Sequence, residues 1–153
     1  MRILSKTRIA TALGAILGVI ALAPTTNARA EDAIQPMALR QVMIQLGSDM
    51  QAVTAAISKE DWPRVANLAH GIASHAQPPM GEKMRILTWL GSDAARFRGF
   101  DKTVHEAGDA LGDAARRADG PAVVDAFRDI QQGCLACHQS FRSAFLEHFY
   151  PSK

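Results

Sequence analysis

The sequence predicts an all-α protein, an antiparallel four-helix bundle. No stretch alternates apolar and polar residues with the period of two that a half-buried strand requires, and aromatic residues make up only 6% of the chain. Alanine, the strongest helix former, is abundant. Four amphipathic segments separated by short breaks follow an N-terminal leader. Such segments bury their apolar stripes against one another, and short connections make neighbouring helices antiparallel.

The first 30 residues have the features of a secretory signal peptide. Arg2, Lys6 and Arg8 form a basic start, an apolar run follows over residues 9–23, and residues 28–30 (Ala-Arg-Ala) fit a cleavage site. The apolar run is short for a transmembrane helix, and an uncleaved anchor is the alternative. We expect cleavage after residue 30, no membrane span in the mature protein, and a periplasmic location.

Removal of this leader changes the charge of the protein. Positions 1–30 hold four basic residues and no acidic residue, so the formal net charge falls from +2 for the whole chain to −2 for residues 31–153. The remaining length suits one domain, and no basic stripe is present. The sequence therefore predicts a single, mildly acidic domain and argues against nucleic-acid binding.

The first helix is predicted over residues 36–58. Its apolar residues are spaced 4, 3, 4, 3 and 4 apart, which is the heptad stripe that bundle helices bury. The stripe consists of Leu39, Met43, Leu46, Met50, Val53 and Ile57.

The second helix is predicted to begin at Asp61, whose side chain can cap it, with Pro63 in the first turn, where a missing N–H is harmless. It would end before the prolines at positions 78 and 79. Its inward residues would be Val65, Leu68, Ala69, Ile72 and Ala76. Within residues 77–100, positions 82–90 could form a short helix, but the glycine and proline content of the stretch favours an ordered connection.

The third helix is predicted from Asp101 to Arg117. A break at residues 118–121 follows, and Pro121 suits the first turn of a fourth helix. The inward residues of the third helix would be Val104, Ala107, Gly108, Leu111 and Ala115. Those of the fourth would be Val124, Phe127, Gln131, Cys134, His138, Phe141, Phe145 and His148.

Residues 134–138, Cys-Leu-Ala-Cys-His, match the attachment signature of c-type haem. On a helix, the thiols of Cys134 and Cys137 share one face and can reach the two vinyl groups along one porphyrin edge, while His138 can bind the iron. A thioredoxin-like redox pair would need a βαβ context, and a structural zinc site would need four ligands. The chain has only these two cysteines. Because the motif lies on the predicted inward stripe, we expect one covalently attached haem c, with its iron, inside the bundle.

This C-terminal motif resembles that of the cytochrome c-prime superfamily, the class II c-type cytochromes. The family places an aromatic and a basic residue three and four positions after the haem histidine, and Phe141 and Arg142 stand at those positions here. The resemblance covers essentially the whole mature chain. It implies a four-helix bundle around the haem, with Phe141 and Arg142 beside the cofactor.

A second motif, on the first helix, is similar to that of the family's low-spin, methionine-ligated branch. Met43, Gly47 and Met50 stand at the relative positions 0, +4 and +7 of that branch. The resemblance implies that Met43 is the distal iron ligand opposite His138, with Met50 as the rival. Gly47, which lacks a Cβ, would let the haem approach the helix backbone closely.

One position departs from this pattern. The family often carries an arginine four residues before the distal residue, but that position is Leu39 here and Arg40 follows it. Anchoring the alignment on Arg40 would make Ile44 the distal residue and leave the iron open. The heptad stripe favours Met43, because Ile44 lies about 100° away from the stripe.

Together these features predict a periplasmic electron-transfer protein and not an enzyme. Histidine and methionine on haem iron raise the reduction potential and leave no open site, and no acid–base pair or nucleophile accompanies the motif. The alternative within the family is a five-coordinate protein that binds small gases such as nitric oxide; a third interpretation is a CxxC thiol oxidoreductase. The partners would be redox proteins in small, transient encounters, and the family also suggests a homodimer through the first two helices.

Overall fold

Six α-helices make up most of residues 37–151, which are the residues that the computed structural model describes. They are α1 (Ala38–Ile57), α2 (Trp62–Ala73), α3 (Met80–Leu90), α4 (Ala94–Arg116), α5 (Gly120–Cys137) and α6 (Ser143–Phe149). A 3-10 turn (Gly91–Asp93) joins α3 to α4, and a π-helical turn (His138–Arg142) joins α5 to α6. No strand occurs between residues 37 and 151, so the predicted all-α class is confirmed. The predicted signal peptide, and residue 36 of the first helix, lie outside the described residues.

None of the helices within residues 37–151 has both the length and the apolar character that a membrane crossing requires.

Helices α1, α2, α4 and α5 pack in the order of the chain. α1 lies against α2, α2 against α4, and α4 against α5, whereas the backbones of α1 and α5 approach each other at few positions. The hydroxyl of Tyr150, just after α6, accepts a hydrogen bond of 2.8 Å from the amide of Met37, just before α1. Trp62, soon after the end of α1, lies beside Gly120 at the start of α5. The start of α1 is therefore near the end of the α5–α6 run, as in a bundle of antiparallel helices.

One apolar core, here called the inner cluster, is shared by α1, α2, α4 and α5. Complete burial of one large apolar side chain stabilises the fold by roughly 1.5–3 kcal/mol. The fully buried large side chains of the inner cluster are Val53, Val65, Ile72, Leu111, Val123 and Ile130. Because all four helices contribute, none of them can leave without opening this core.

Small residues bring α4 close to both of its neighbours. A Cβ added at Gly108 would lie 3.0 Å from the Cβ of Ala73 and 3.1 Å from its backbone nitrogen. A Cβ at Gly133 of α5 would lie 3.0 Å from Cγ2 of Val104.

The inward stripe predicted for the third helix, which is α4, is confirmed. All of its predicted inward residues are buried: Val104, Ala107, Gly108, Leu111 and Ala115.

The predicted starts of the second and fourth helices are confirmed. The carboxylate of Asp61 accepts a hydrogen bond of 3.2 Å from the amide of Arg64, and that of Asp119 accepts one of 3.2 Å from the amide of Ala122. Both helices carry proline in the first turn. Side-chain oxygens in these positions satisfy amides that have no partner within the helix.

The second helix ends earlier than the sequence predicts. α2 stops at Ala73, and Ala76 is exposed, so Ala76 is not an inward residue. Both the amide and the hydroxyl of Ser74 bind the carbonyl of His70, at 2.9 and 2.6 Å, which closes the helix at that point.

Residues 77–100 are largely helical, so the favoured prediction of an ordered connection is wrong and the alternative, a short helix, is confirmed. α3 begins directly after Pro79, and α4 begins at Ala94, seven residues before the predicted start at Asp101. Gly91 separates the two helices with a φ of 53°, a left-handed conformation that glycine adopts without strain.

A second apolar cluster, here called the end cluster, joins α3, the α5–α6 run and the residue before α1. Its buried members are Met37, Ile86, Leu90, Phe141 and Phe149. The carboxylate of Glu82 in α3 accepts hydrogen bonds from the amides of Ala38 and Leu39, both at 2.8 Å, and so caps α1. The stretch that was ambiguous in the sequence therefore secures the end of the bundle that carries residues 134–138.

The predicted inward stripe of the first helix is wrong at Met43. α1 buries Val42, Met50, Val53 and Ala56, whereas the side chain of Met43 is 39% exposed. Leu39 packs against the end cluster and Leu46 against the inner cluster, whereas Met43, between them, belongs to neither cluster and is not covered by a neighbouring helix.

The predicted stripe of the fourth helix is displaced by one residue. α5 buries Val123, Ala126, Ile130 and Gly133, each one position before a predicted residue. Four of the predicted inward residues of this helix are exposed: Val124, Gln131, His138 and His148. In the π turn, which adds one residue to the helical register, Phe141 is buried as predicted. In α6, Phe149 is buried in place of His148.

Candidate haem-attachment site

Cys134 and Cys137 lie on the last turn of α5, each partly buried. They stand three residues apart and therefore share one face of the helix. Cys134 packs against the inner cluster, and Cys137 packs against the end cluster. The two thiols thus mark the junction between the two apolar regions of the protein.

Both thiols are poor nucleophiles at neutral pH. Burial raises the pKa of Cys134. Burial also raises the pKa of Cys137 to about 11, and the neighbouring Cys134 and the carboxylate of Asp101 add to this effect. Catalytic CxxC pairs instead have lowered pKa values, commonly at helix N-termini. The pair here closes an 18-residue helix, so its environment does not favour thiol–disulfide chemistry.

His138 is the first residue of the π-helical turn, and its side chain is exposed. π turns are rare and occur often at functional sites. The turn changes the direction in which the following residues point, and Phe141 is buried as a result. The predicted histidine therefore stands at the edge of the apolar region, with a buried aromatic residue one turn further on.

Phe141 lies in an aromatic group that the sequence did not reveal. Its ring centroid is 5.5 Å from that of Phe97 and 6.1 Å from that of Phe100, both in edge-to-face geometry. The guanidinium of Arg96 lies 5.4 Å from the Phe141 centroid and donates a hydrogen bond of 2.8 Å to the hydroxyl of Ser140. The predicted neighbour, Arg142, is exposed. Arg96 is thus the cation in contact with this site, and it lies in the stretch for which the sequence left two alternatives.

The three residues predicted on the first helix occupy different surroundings. Met50 is buried in the inner cluster, which Cys134 also contacts. Met43 belongs to neither cluster, and Gly47 is exposed, with no atom within 4 Å of an added Cβ. The structure therefore brings Met50 and Cys134 into one core but does not do so for Met43 or Gly47.

Met43 and Gly47 nevertheless lie on a defined flank of α1. A groove of about 260 Å³ between α1 and the end of α2 is lined on α1 by Val42, Leu46 and Asp49, among others. At 100° per residue, Met43 and Gly47 lie on the opposite flank, away from α2. On α5, His138 likewise lies on the flank away from Gly133, the residue that contacts α4.

No known protein family matches the chain, and no curated protein matches it. The chemistry of the site is therefore the basis for assigning a function.

Proposed function

We propose that this protein is a periplasmic c-type cytochrome of the class II, cytochrome c-prime-like kind, which carries one haem in a four-helix bundle and transfers single electrons. Cys134 and Cys137 would hold the haem covalently, and His138 would bind its iron. The observation that carries the proposal is the Cys-x-x-Cys-His run on one helical face, with both thiols partly buried between two apolar clusters.

The residues at the site fit such a cofactor. Two protonated thiols one helical turn apart suit addition to two vinyl groups, and an accessible imidazole in the next position suits an iron ligand. The bound haem would supply one-electron chemistry between ferric and ferrous iron. The apolar side chains of both clusters exclude water from one side of the motif, and burial is one of the factors that set a haem potential.

Met43 would be the second protein ligand of the iron in this proposal. Met50 is packed in the inner cluster, so turning its sulfur toward an iron would remove it from that core, and losing a buried methionine costs about 2–5 kcal/mol. Met43 belongs to neither cluster and is 39% exposed. Its sulfur can be recruited without dismantling the core.

A five-coordinate protein that binds small gases is the second candidate, because Met43 is 39% exposed and belongs to neither cluster. Without a methionine ligand, an iron bound by His138 would have an open position for nitric oxide or carbon monoxide. The two candidates differ only in the sixth iron ligand.

The absorption spectrum of the reduced protein, with and without carbon monoxide, separates the two candidates. The protein should be exported in cells that attach c-type haem. A low-spin spectrum that carbon monoxide does not change supports electron transfer, whereas rapid carbon monoxide binding at neutral pH supports gas binding. Absence of haem absorbance in folded, exported protein would contradict both candidates.

Matched variants test the individual residues. Replacing Cys134 or Cys137 by serine should leave fewer covalent links, so that acid–acetone extracts haem from the double variant. Met43→Ala should give a high-spin spectrum that responds to carbon monoxide. Met50→Ala should keep the low-spin spectrum but lose stability, because it opens the inner cluster. The reverse result for the two methionines would make Met50 the ligand.

Electron exchange would involve unidentified redox proteins that dock briefly near residues 134–138. Two exposed apolar side chains, Leu135 and Leu146, lie in this part of the protein and suit such an encounter. The homodimer through α1 and α2 stays a prediction, and light scattering on the purified protein would test it.

A further inference from the structure

Two histidines and one aspartate meet beside the proposed haem site. His75 follows the end of α2, while Asp101 and His105 stand one turn apart on α4. The His75 side chain is 9% exposed, and the two imidazole rings are stacked with their centroids 4.5 Å apart. The ligand atoms that the three residues offer lie within 4.8 Å of one another.

The hydrogen bonds of the two rings determine where their lone pairs point. Nδ1 of His75 lies 2.9 Å from the carbonyl oxygen of Ile72, and Nδ1 of His105 binds the carbonyl oxygen of Ala73. A carbonyl oxygen only accepts, so each Nδ1 must carry the proton and donate it. In a neutral imidazole, Nε2 is then the unprotonated nitrogen. Histidine ligands of metals show this same pattern, in which the second nitrogen donates to a carbonyl or carboxylate.

Both Nε2 atoms face the carboxylate of Asp101. Nε2 of His75 is 3.3 Å from one carboxylate oxygen, and Nε2 of His105 is 3.4 Å from the other. Two neutral imidazole lone pairs and a carboxylate would repel one another at these distances. The arrangement is stable only if positive charge lies among the three groups, supplied either by protons on Nε2 or by a metal ion.

We propose that His75, Asp101 and His105 bind one divalent first-row transition-metal ion, for which Zn²⁺ is the probe, at a site separate from the haem. Two imidazoles and one carboxylate form a donor set that zinc uses when it keeps a fourth position for water. Imidazole nitrogen disfavours calcium and magnesium, which take oxygen ligands.

The distances suit a tetrahedral ion. With bonds of about 2.0–2.1 Å, neighbouring ligand atoms around a tetrahedral zinc lie roughly 3.3–3.4 Å apart, close to the two nitrogen–oxygen separations observed here. The rings are now nearly parallel, at 17°. Binding must therefore splay them until both lone pairs point at one place, and the ring stack is given up.

The site would join α2 to α4 next to the haem motif. Asp101 is close enough to Cys137 for its carboxylate to raise the thiol pKa. A bound cation would neutralise that carboxylate, so we expect the ion to raise the reduction potential of an attached haem as well as the stability of the bundle.

Titration calorimetry with ZnCl₂ on the purified, chelator-treated protein tests this proposal. We expect one equivalent of Zn²⁺ to bind, with affinity at least tenfold weaker in His105→Ala and in Asp101→Asn. His70→Ala is the matched control, because His70 is an exposed histidine on α2 that is not part of the group, and it should bind like the parent protein. Binding that persists unchanged in His105→Ala would overturn the proposal as adventitious.

Two further measurements keep the test decisive. Zinc X-ray absorption of the parent protein should show two imidazole ligands and no sulfur, whether or not a variant folds; sulfur ligands would overturn the proposal. Repeating the calorimetry on the Cys134→Ser/Cys137→Ser protein excludes binding by the thiols of haem-free molecules. Absence of binding at millimolar zinc would overturn the proposal, since protons on Nε2 would then supply the positive charge among the three side chains. Since the haem spectrum is recorded separately, failure of the metal site and failure of the proposed cytochrome function are distinguishable.

Discussion

Burial makes the thiols of Cys134 and Cys137 unreactive at neutral pH, because it raises their pKa values. Their raised pKa values predict that, in haem-free protein, iodoacetamide alkylates neither thiol appreciably at pH 7. The rate should increase only at alkaline pH, with Cys137 titrating at about 11. Protein unfolded in urea is the control, because exposed thiols titrate near pH 8.5. Fast alkylation of the folded protein at pH 7 would instead favour the thiol oxidoreductase interpretation.

His75 and Asp101 predict a pH dependence of stability in metal-free protein. The hydrogen bond that His75 donates to the carboxylate of Asp101 raises the pKa of His75 above 6.5 and more than offsets burial, which lowers this pKa. The contribution of His75 to the free energy of unfolding is therefore complete below pH 6.5 and is lost as the pH rises through the raised pKa of the folded state. Conversely, the hydrogen bond from His75 lowers the pKa of Asp101 below 3.8. The contribution of Asp101 to the free energy of unfolding is therefore lost as the pH falls through this lowered pKa.

The pair should therefore stabilise the protein most between about pH 4 and pH 6.5. Because Asp101 is 40% exposed, solvent screens the interaction, and we expect a contribution of only about 1 kcal/mol or less. Urea unfolding at pH 5.5 and pH 8.5, in the presence of a chelator, should show a loss of stability that His75→Ala reduces. His70→Ala should keep the full dependence, and an equal dependence in all three proteins would refute the assignment.

For individual residues, the sequence is most informative where the residues of a site are adjacent in the chain. The Cys134–His138 spacing is enough to state a hypothesis for the site, because five adjacent residues carry the whole pattern. The exposure of Met43 could not be predicted, because a drift of one residue in the inward face depends on how α1 packs against its neighbours. The contact of Arg96 with Phe141 joins residues 45 positions apart and has no signature along the chain.

Among the elements, α3 shows why glycine and proline alone are weak predictors. Pro79 lies directly before the helix and Gly91 directly after it, so both residues bound a helix whose interior they do not interrupt. Ile86 and Leu90 supply the buried side that holds it. The caps at Asp61 and Asp119 could be predicted, because those signals are complete within four residues.

Glu82 predicts a stabilising link between two elements. Its carboxylate satisfies two amides at the start of α1, so Glu82→Ala leaves both without their partner, and we expect a loss of about 1–2 kcal/mol. Glu106→Ala is the matched control, since Glu106 only pairs with Lys102 on the surface of α4 and should cost about 0.5 kcal/mol or less. Urea unfolding of the three proteins measures both values, and equal losses would show that the cap is not functional.

In the whole molecule, the close approach of α4 to α2 requires glycine. Gly108→Ala places a Cβ against the backbone of Ala73, which cannot move freely, so we expect a loss of about 1–3 kcal/mol. Gly81→Ala is the control in α3, where nothing lies within 4 Å, and the higher helix propensity of alanine should stabilise the protein by up to about 1 kcal/mol. Thermal unfolding should therefore shift in opposite directions. A shift in the same direction would contradict the close packing of α4.

The overall class could be predicted from the sequence because amphipathic periodicity recurs along the whole chain. The sparse backbone contact between α1 and α5, and the division of the core into two clusters, could not be predicted, since both depend on contacts between distant residues. Even a correct stripe on α4 does not say which helix it faces.

The contact between Met37 and Tyr150 has a consequence for the order of folding. It spans 113 residues, and closing so long a loop is slow and entropically unfavourable. The inner cluster draws on successive helices and can assemble before the end cluster closes over Cys137. We expect a period during maturation in which most of the bundle exists while the motif is still accessible from outside. Attachment of the proposed haem in that period would precede closure of the end cluster, so the last step of folding would enclose the haem.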